Sequence, residues 1–269
     1  MLSISMEAGG DRLVVRRVDG GTDVRAALAG LGLDVPVRRK DGVHVVDLVH
    51  AGSLVEAGER LSWDEDARRA AEARHSIRAN AARVLADARE LRDGPLDVAQ
   101  AAIADSSLAE LLDDHQVRNV AVMTIDKGWG TCVFDEQGTG KTVTLISAFD
   151  LLVERNLADI LLVVAPKSMI AEWGVEFGRF TEGLYRVSVV DGDRRAKVAA
   201  IRAGADVVVM SYETVSSCTE EIIRLARRCR LVLAVDESFN AKNRNAVRTE
   251  ALMRVREYCS RAFALCGTP

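Results

Sequence analysis

The segment Val133 to Thr142, reading VFDEQGTGKT, constrains the fold of this chain more than any other stretch. The apolar run Thr131 to Phe134 predicts a buried strand. Lys141-Thr142 then opens a run with apolar residues at helical spacing: Val143, Leu145, Ile146, Phe149, Leu152 and Val153. Between the two lie Gly138 and Gly140, flanking Thr139. Strand, glycine turn and a helix beginning Lys-Thr make a cradle for phosphate. Glycines let backbone N–H groups close on the anion, and the helix N-terminus adds positive potential. In such a cradle Lys141 reaches the outer phosphates and the Thr142 hydroxyl is placed for Mg2+. The general phosphate-loop pattern has another glycine six positions before its lysine, where this chain has Asp135. A glycine turn with a surface lysine is the plainer reading, and the flanking strand and helix count against it.

A length of 269 residues suits one large domain or two modest ones. With 48% hydrophobic and 28% charged residues, the composition is that of an ordinary soluble chain. The net charge of −4 gives no wholesale attraction for nucleic acid, so any such site must be local. No apolar run approaches the roughly 20 residues of a membrane span, so no membrane partner is expected. The first ten residues lack the basic start and apolar core of a signal peptide. The cysteines at 132, 218, 229, 259 and 266 contain no Cys-x-x-Cys pair, and the four histidines are scattered. The expectation is reduced thiols in a cytoplasmic protein, with neither a disulfide frame nor a zinc site.

Three regions are expected: a small α+β domain over 1–62, a helical connector over 63–95, and an α/β domain over 96–269. In the first, RLVVRRV (12–18) predicts a strand, Thr22 a cap for a helix over 23–31, and 35–40 and 43–49 two strands joined by Asp41-Gly42. Arg38, Arg39 and Lys40 crowd that turn, as a solvated tip or as a DNA contact. From 64 to 91 the chain is rich in Ala, Arg and Glu. Ile77, Ala81, Val84, Leu85, Ala88 and Leu91 share a helical face, which Asp93-Gly94-Pro95 ends. In the third region a helix is expected over 98–112. Beyond the phosphate loop, strands over 160–165, 186–190, 206–210, 231–235 and 262–266 alternate with helices from Ser168 to Phe180 and over 194–202, 220–228 and 246–259. Continuous Val/Ile/Leu runs mean strands covered on both faces, hence a doubly wound, mainly parallel sheet. Ligands bind at the carboxyl ends of such strands. Asp236-Glu237 follows the strand over 231–235, where one carboxylate can hold Mg2+ and its neighbour can polarise a water.

Taken together, these segments resemble the first, RecA-like motor lobe of a Swi/Snf-type DNA-dependent ATPase of helicase superfamily two. Asp135 to Thr142 match that family's Asp-Glu-x-Gly-x-Gly-Lys-Thr loop. His115-Gln116 matches a Pro-His-Gln element with Asp114 in place of the proline. Val164 to Ser168 with Trp173 and Glu176-Phe177 resembles the APxSLxxxWxxEF segment. Ser211-Tyr212-Glu213 resembles the SYE motif. Asp236 to Asn243 resembles DEAHxxKN with Phe239 replacing the histidine, and Gly267-Thr268-Pro269 ends an LTGTP-like element in which Cys266 replaces threonine.

The resemblance spans Leu111 to Pro269 and implies roles. Lys141 and Thr142 hold the ATP phosphates and Mg2+ together with Gly138, Thr139 and Gly140. Asp236 serves the metal, Glu237 the water and Gln116 the base. Gly267 and Thr268 couple nucleotide state to the motor. Lys167 and Ser168 stand at a helix start, where backbone N–H groups contact a DNA phosphate or where the serine merely caps. Trp173 and Phe177, spaced i, i+4, are read as core. The implied activity is ATP hydrolysis that moves the protein on DNA, duplex by family habit; separately, the excess of Arg over Lys with much Ala and Val points to a bacterial or phage genome, and so to a nucleoid-associated cytoplasmic protein. Because the last first-lobe motif coincides with Pro269, the expectation is a lobe that depends on a second one for its arginine fingers and is nearly inactive alone. Two rivals stand beside this reading: another phosphate-loop NTPase, and a non-catalytic half that docks a partner or tethers DNA.

Overall fold

The strands of this chain sort into two sheets, each with its own core. The computed structural model describes residues 2–7, 12–19, 21, 23–40, 43–47, 51–241, 243 and 246–267. Thr22, Asp41-Gly42, Leu48-Val49, Lys242, Thr268 and Pro269 lie outside the described residues. Contacts divide the chain into Met1–Arg83 and Val84–Pro269.

In the first unit, β1 (Leu2–Met6), β2 (Arg12–Arg17), β3 (Arg38–Lys40), β4 (Val43–Asp47) and β5 (Leu61–Trp63) form a sheet ordered β3-β4-β2-β1-β5. β1 pairs antiparallel with β2 and parallel with β5. Two helices, α1 (Val24–Gly30) and α2 (Ala51–Glu56), pack on it, and Leu2, Ile4, Leu13, Val15, Leu28, Val46 and Leu54 make the core. α1 is capped by Asp23, whose carboxylate accepts the Ala26 N–H at 2.8 Å. The strand expected over 35–40 shortens to β3, because Pro36 has no N–H for a ladder and the Val37 carbonyl accepts from Arg25 Nη2 at 3.0 Å.

The long helix α3 (Glu65–Asp93) carries Glu65 and Asp66 in its first turn and Arg92 in its last, matching the helix dipole. Its i, i+4 pairs Arg68–Glu72 and Arg69–Glu65 lie on the surface. The apolar face expected over 77–91 is only partly used: Leu85 is exposed, whereas Leu91 packs on the second unit's core.

Val84–Pro269 is built on β6 (Gly130–Val133), β7 (Ile160–Ala165), β8 (Val187–Val190), β9 (Val207–Ser211), β10 (Leu231–Val235) and β11 (Arg261–Leu265), all parallel, in the order β6-β11-β10-β7-β9-β8. β7 sends Leu161, Val163 and Ala165 to one face and Leu162 and Val164 to the other. β9 and β10 alternate in the same way. One face is covered by α4 (Leu96–Ala102), α5 (Asp114–Met123), α6 (Lys141–Glu154) and α7 (Ile170–Phe180). The other carries α8 (Arg194–Ile201), α9 (Tyr212–Ser217), α10 (Thr219–Ala226) and α11 (Val247–Arg256). The doubly wound parallel sheet expected from the apolar runs is therefore present.

The single helix expected over 98–112 is interrupted. α4 stops at Ala102, and a 3-10 turn, Ala109–Leu111, follows. Polar residues between them have tertiary partners that a continuous helix would break. Arg155 Nε bonds Asp105 at 2.9 Å and its Nη2 bonds the Ala102 carbonyl at 2.6 Å, while Ser107 Oγ donates to Asp150 at 2.8 Å.

Candidate functional site

Apart from His115-Gln116, at the start of α5, the motifs singled out in the sequence of the second unit lie beyond the carboxyl ends of strands, on one edge of the sheet. The glycine loop follows β6, Gly267 follows β11, Asp236 follows β10, the Pro166–Met169 turn follows β7 and Tyr212 follows β9. Parallel pairing sets this out, since all six strands end on the same side.

The loop from Phe134 to Gly140 is held from inside. Gly138 and Gly140 have φ of 82° and 79°, in the left-handed region that glycine enters without strain. A Cβ on Gly140 would stand 2.3 Å from Gln116 Nε2, so space as well as φ demands glycine there. Lys141 Nζ donates to the carbonyls of Asp135 and Glu136 at 2.8 and 2.7 Å. Thr139 Oγ1 donates to Glu136 O at 2.8 Å, and Asn119 Nδ2 holds the Asp135 carboxylate at 2.6 Å. Gly267 backs the loop, where an added Cβ would lie 3.1 Å from Gln137 Cγ.

Gln116 is buried at the start of α5. Its Oε1 accepts the Asp113 N–H at 2.9 Å, one half of a capping box, and its Nε2 donates to Thr139 O at 2.9 Å. His115 Nε2 lies 2.9 Å from the same carbonyl. The structure thus brings Gln116 to the back of the glycine loop, and it does not line the cleft in front.

That cleft, about 460 Å³, is lined by Gly138, Gly140, Lys141 and Thr142 on one side and by Asp236 and Glu237 on another, with Glu172 and Trp173 from α7. Asp236 extends the ladder one residue past β10, its N–H donating to Val164 O at 2.8 Å. Its Oδ1 accepts the Glu237 N–H at 2.9 Å and its Oδ2 accepts Trp173 Nε1–H at 3.0 Å. Burial pushes the Asp236 carboxyl above its ordinary value, against the pull of the Trp173 and Glu237 N–H groups and the Lys141 charge. Glu237 has φ of 48°, a left-handed conformation costing about 1 kcal/mol or more for a residue with a Cβ. It is held there by Tyr212, whose Oη donates to the carbonyls of Asp236 and Glu237 at 2.6 and 3.2 Å, and by Asn240 Nδ2, which donates to Glu237 O at 3.0 Å. Burial beside these acids pushes the Tyr212 phenol above its ordinary value.

Lys167 and Ser168 occupy an exposed turn closed by Met169 N–H to Pro166 O at 2.8 Å. Ser168 does not cap α7. The residue before the helix is Met169, with no side-chain cap bond, because the Pro166 turn uses two further residues before the helical conformation begins. Trp173 and Phe177 are core residues, at 3% and 0% exposure. Sequence reasoning missed that Trp173 also reaches Asp236. A signal existed, because a buried indole N–H needs an acceptor. The support that Tyr212 gives to the acidic pair and the α5 tether of the loop were missed as well.

A glycine loop opening a helix, facing an acidic pair one strand removed across a shared cleft, defines the class: a phosphate-loop α/β lobe. The chain belongs to the SNF2-related domain family, which matches residues 114–269. It is similar to the human SWI/SNF-related matrix-associated actin-dependent regulator of chromatin subfamily A member 1, with 33% identity over 167 residues, 59% of this chain and 15% of that protein. The ATP-dependent helicase FUN30 of Saccharomyces cerevisiae is 30% identical over 145 residues, 52% of this chain and 13% of that one. The chain therefore spans well under a fifth of the length of these relatives. A solved Sulfolobus solfataricus SWI2/SNF2 ATPase core in complex with dsDNA matches 58% of this chain and 31% of its own at 25% identity, with a TM-score of 0.49.

Proposed function

We propose that residues 114–269 form the ATP-binding lobe of a DNA-dependent ATPase that moves on DNA when a second lobe closes over its cleft. The observation that carries the reading is the cleft itself, where Lys141 and Thr142 face Asp236 and Glu237. The residues suit a magnesium–nucleotide. Left-handed Gly138 and Gly140 and the first turn of α6 offer backbone N–H groups to phosphate. The carbonyls that hold Lys141 are neutral, and a phosphate oxygen offers its ammonium the full opposite charge that they lack. Thr142 and Asp236 are the hard oxygen donors that Mg2+ prefers. When bound, the metal neutralises charge on the phosphate oxygens. Glu237 accepts a proton from the attacking water, its carboxylate aimed by the left-handed backbone. The Gln116 amide retains one N–H and one lone pair beyond its two bonds, and these are what an adenine contact would use.

Among the described residues lining the cleft, Lys141 is the only cation. An arginine finger, worth about 10³–10⁵ in rate, would therefore have to come from outside it, and this supports the second-lobe reading. Lys167 and Ser168 on their exposed turn suit a DNA phosphate, a contact that positions the protein, carries no sequence information and weakens with salt.

The test is nucleotide binding and turnover by the chain with Mg2+, with and without duplex DNA, beside Lys141→Ala. We expect ATP to bind, the variant to lose at least about tenfold in affinity, and turnover to stay negligible even with DNA. Robust DNA-stimulated turnover would refute dependence on a second lobe. No binding by the wild type would refute the nucleotide site and leave the regulatory or tethering alternative.

A further inference from the structure

We propose that Trp173 is a positioning residue that sets the Asp236 carboxylate for Mg2+ and registers it against the phosphate cradle. This rests on the nucleotide-site reading above and assigns a role to a residue otherwise read as core.

The indole sits where a purely apolar ring would suffice for packing, at 3% exposure in the core beneath the sheet edge. Yet its Nε1–H is spent on Asp236 Oδ2 at 3.0 Å. The other carboxylate oxygen is already fixed by the Glu237 N–H at 2.9 Å. Two donors, one per oxygen, fix the rotation of the carboxylate plane, and each oxygen keeps a further lone pair for a cation. Hydrogen bonds of this kind to a ligating group orient it and tune its affinity.

The indole is itself immobilised. Its ring packs on Phe177 with centroids 6.5 Å apart, Phe177 meets Phe149 edge-on at 6.4 Å, and both contact Tyr185, at 6.3 and 5.3 Å. Tyr185 is anchored in turn, its Oη donating to buried Asp150 at 2.5 Å. Phe149 and Asp150 belong to α6, the helix that opens with Lys141-Thr142. One rigid body, α6 locked to α7 through aromatic rings, therefore carries both the phosphate-binding end and the group that aims the metal carboxylate. The distance between the two halves of the site is set by this packing as well as by the sheet.

The test separates metal-dependent from metal-independent nucleotide binding in Trp173→Phe, which keeps an aromatic ring and deletes the N–H. Ile201→Ala, which opens a cavity on the other face of the sheet and leaves Trp173 and the rings around it intact, is the control. Affinity for a nucleotide triphosphate is measured in saturating Mg2+ and in EDTA. For Trp173→Phe we expect roughly tenfold weaker binding with Mg2+ and a Mg2+ half-saturation raised by the same factor, with metal-free affinity within about twofold of wild type. Ile201→Ala should melt earlier while keeping the wild-type ratio of the two affinities. Equal losses with and without metal in Trp173→Phe, or no loss, would overturn the assignment.

If Trp173→Phe does not fold, the intact protein still decides. The Trp173 indole N–H resonance should shift on adding Mg2+ with nucleotide and hold still with nucleotide in EDTA; no metal-dependent shift would refute the role. A wild type that binds no nucleotide under either condition would fail the underlying site reading instead, and Lys141→Ala run in parallel makes that failure recognisable.

Discussion

At the scale of single residues, the two glycines of the loop make different demands. Both have left-handed φ, but a side chain on Gly138 would meet open space, whereas one on Gly140 would meet Gln116 at 2.3 Å. Gly138→Ala should therefore cost about 1 kcal/mol of backbone strain. Gly140→Ala should cost about 2–3 kcal/mol and also displace the Gln116 tether of Thr139. Urea denaturation of the two variants reads the order directly, and equal midpoints would contradict it. This part of the site was legible in the sequence because its chemistry is local: glycines, lysine and threonine act within a few positions of one another. That a buried Trp173 needs an acceptor was legible, but not that the acceptor is Asp236, because only the pairing of β7 with β10 brings residues 63 positions apart together.

At the scale of elements, legibility followed burial. The strands β7, β9 and β10 could be read because both of their faces are apolar. The short pieces β1, α2, β5, α5 and α9 were passed over, although Leu2 and Ile4 alternate with Ser3 and Ser5. A run of a few residues offers too little periodicity to stand out. The break between α4 and the 109–111 turn was hidden for another reason: Asp105 and Ser107 find their partners in α6 and just beyond it, at Asp150 and Arg155.

Element ends also carry a pH dependence. Arg230, ahead of β10, donates its backbone N–H and Nε to Asp159, ahead of β7, at 2.6 and 3.0 Å. The Arg230 guanidinium holds the Asp159 carboxyl below its ordinary value. A carboxyl depressed in the folded state adds stability above its unfolded value, about 3.9, and loses it as pH falls through the lowered folded value. Asp159→Asn should thus melt below wild type at neutral pH, with the gap closing on acidification beneath the ordinary carboxylate range. Melts recorded between neutral and acid pH check this, and a gap that ignores pH would disprove it.

At the scale of the whole chain, the cores are separate. The apolar cluster of Met1–Arg83 shares no residue with the two that cover the faces of the parallel sheet. Val84–Pro269 produced alone should therefore unfold cooperatively and bind nucleotide within about threefold of the full chain, since every described residue lining the cleft lies in it. A sloping, non-cooperative melt of that fragment would show that the first unit is needed for its fold.

The grip of the Asp135 and Glu136 carbonyls on Lys141 has one more consequence, electrical in kind. The cleft sets a cation opposite two acids, and among the described ion pairs none joins Lys141 to Asp236 or Glu237. Parked on neutral oxygens, the lysine keeps its charge without spending it on the opposite wall. The two poles stay unshorted, and a ligand that is anionic at one end and carries a cation at the other is the kind that completes the circuit.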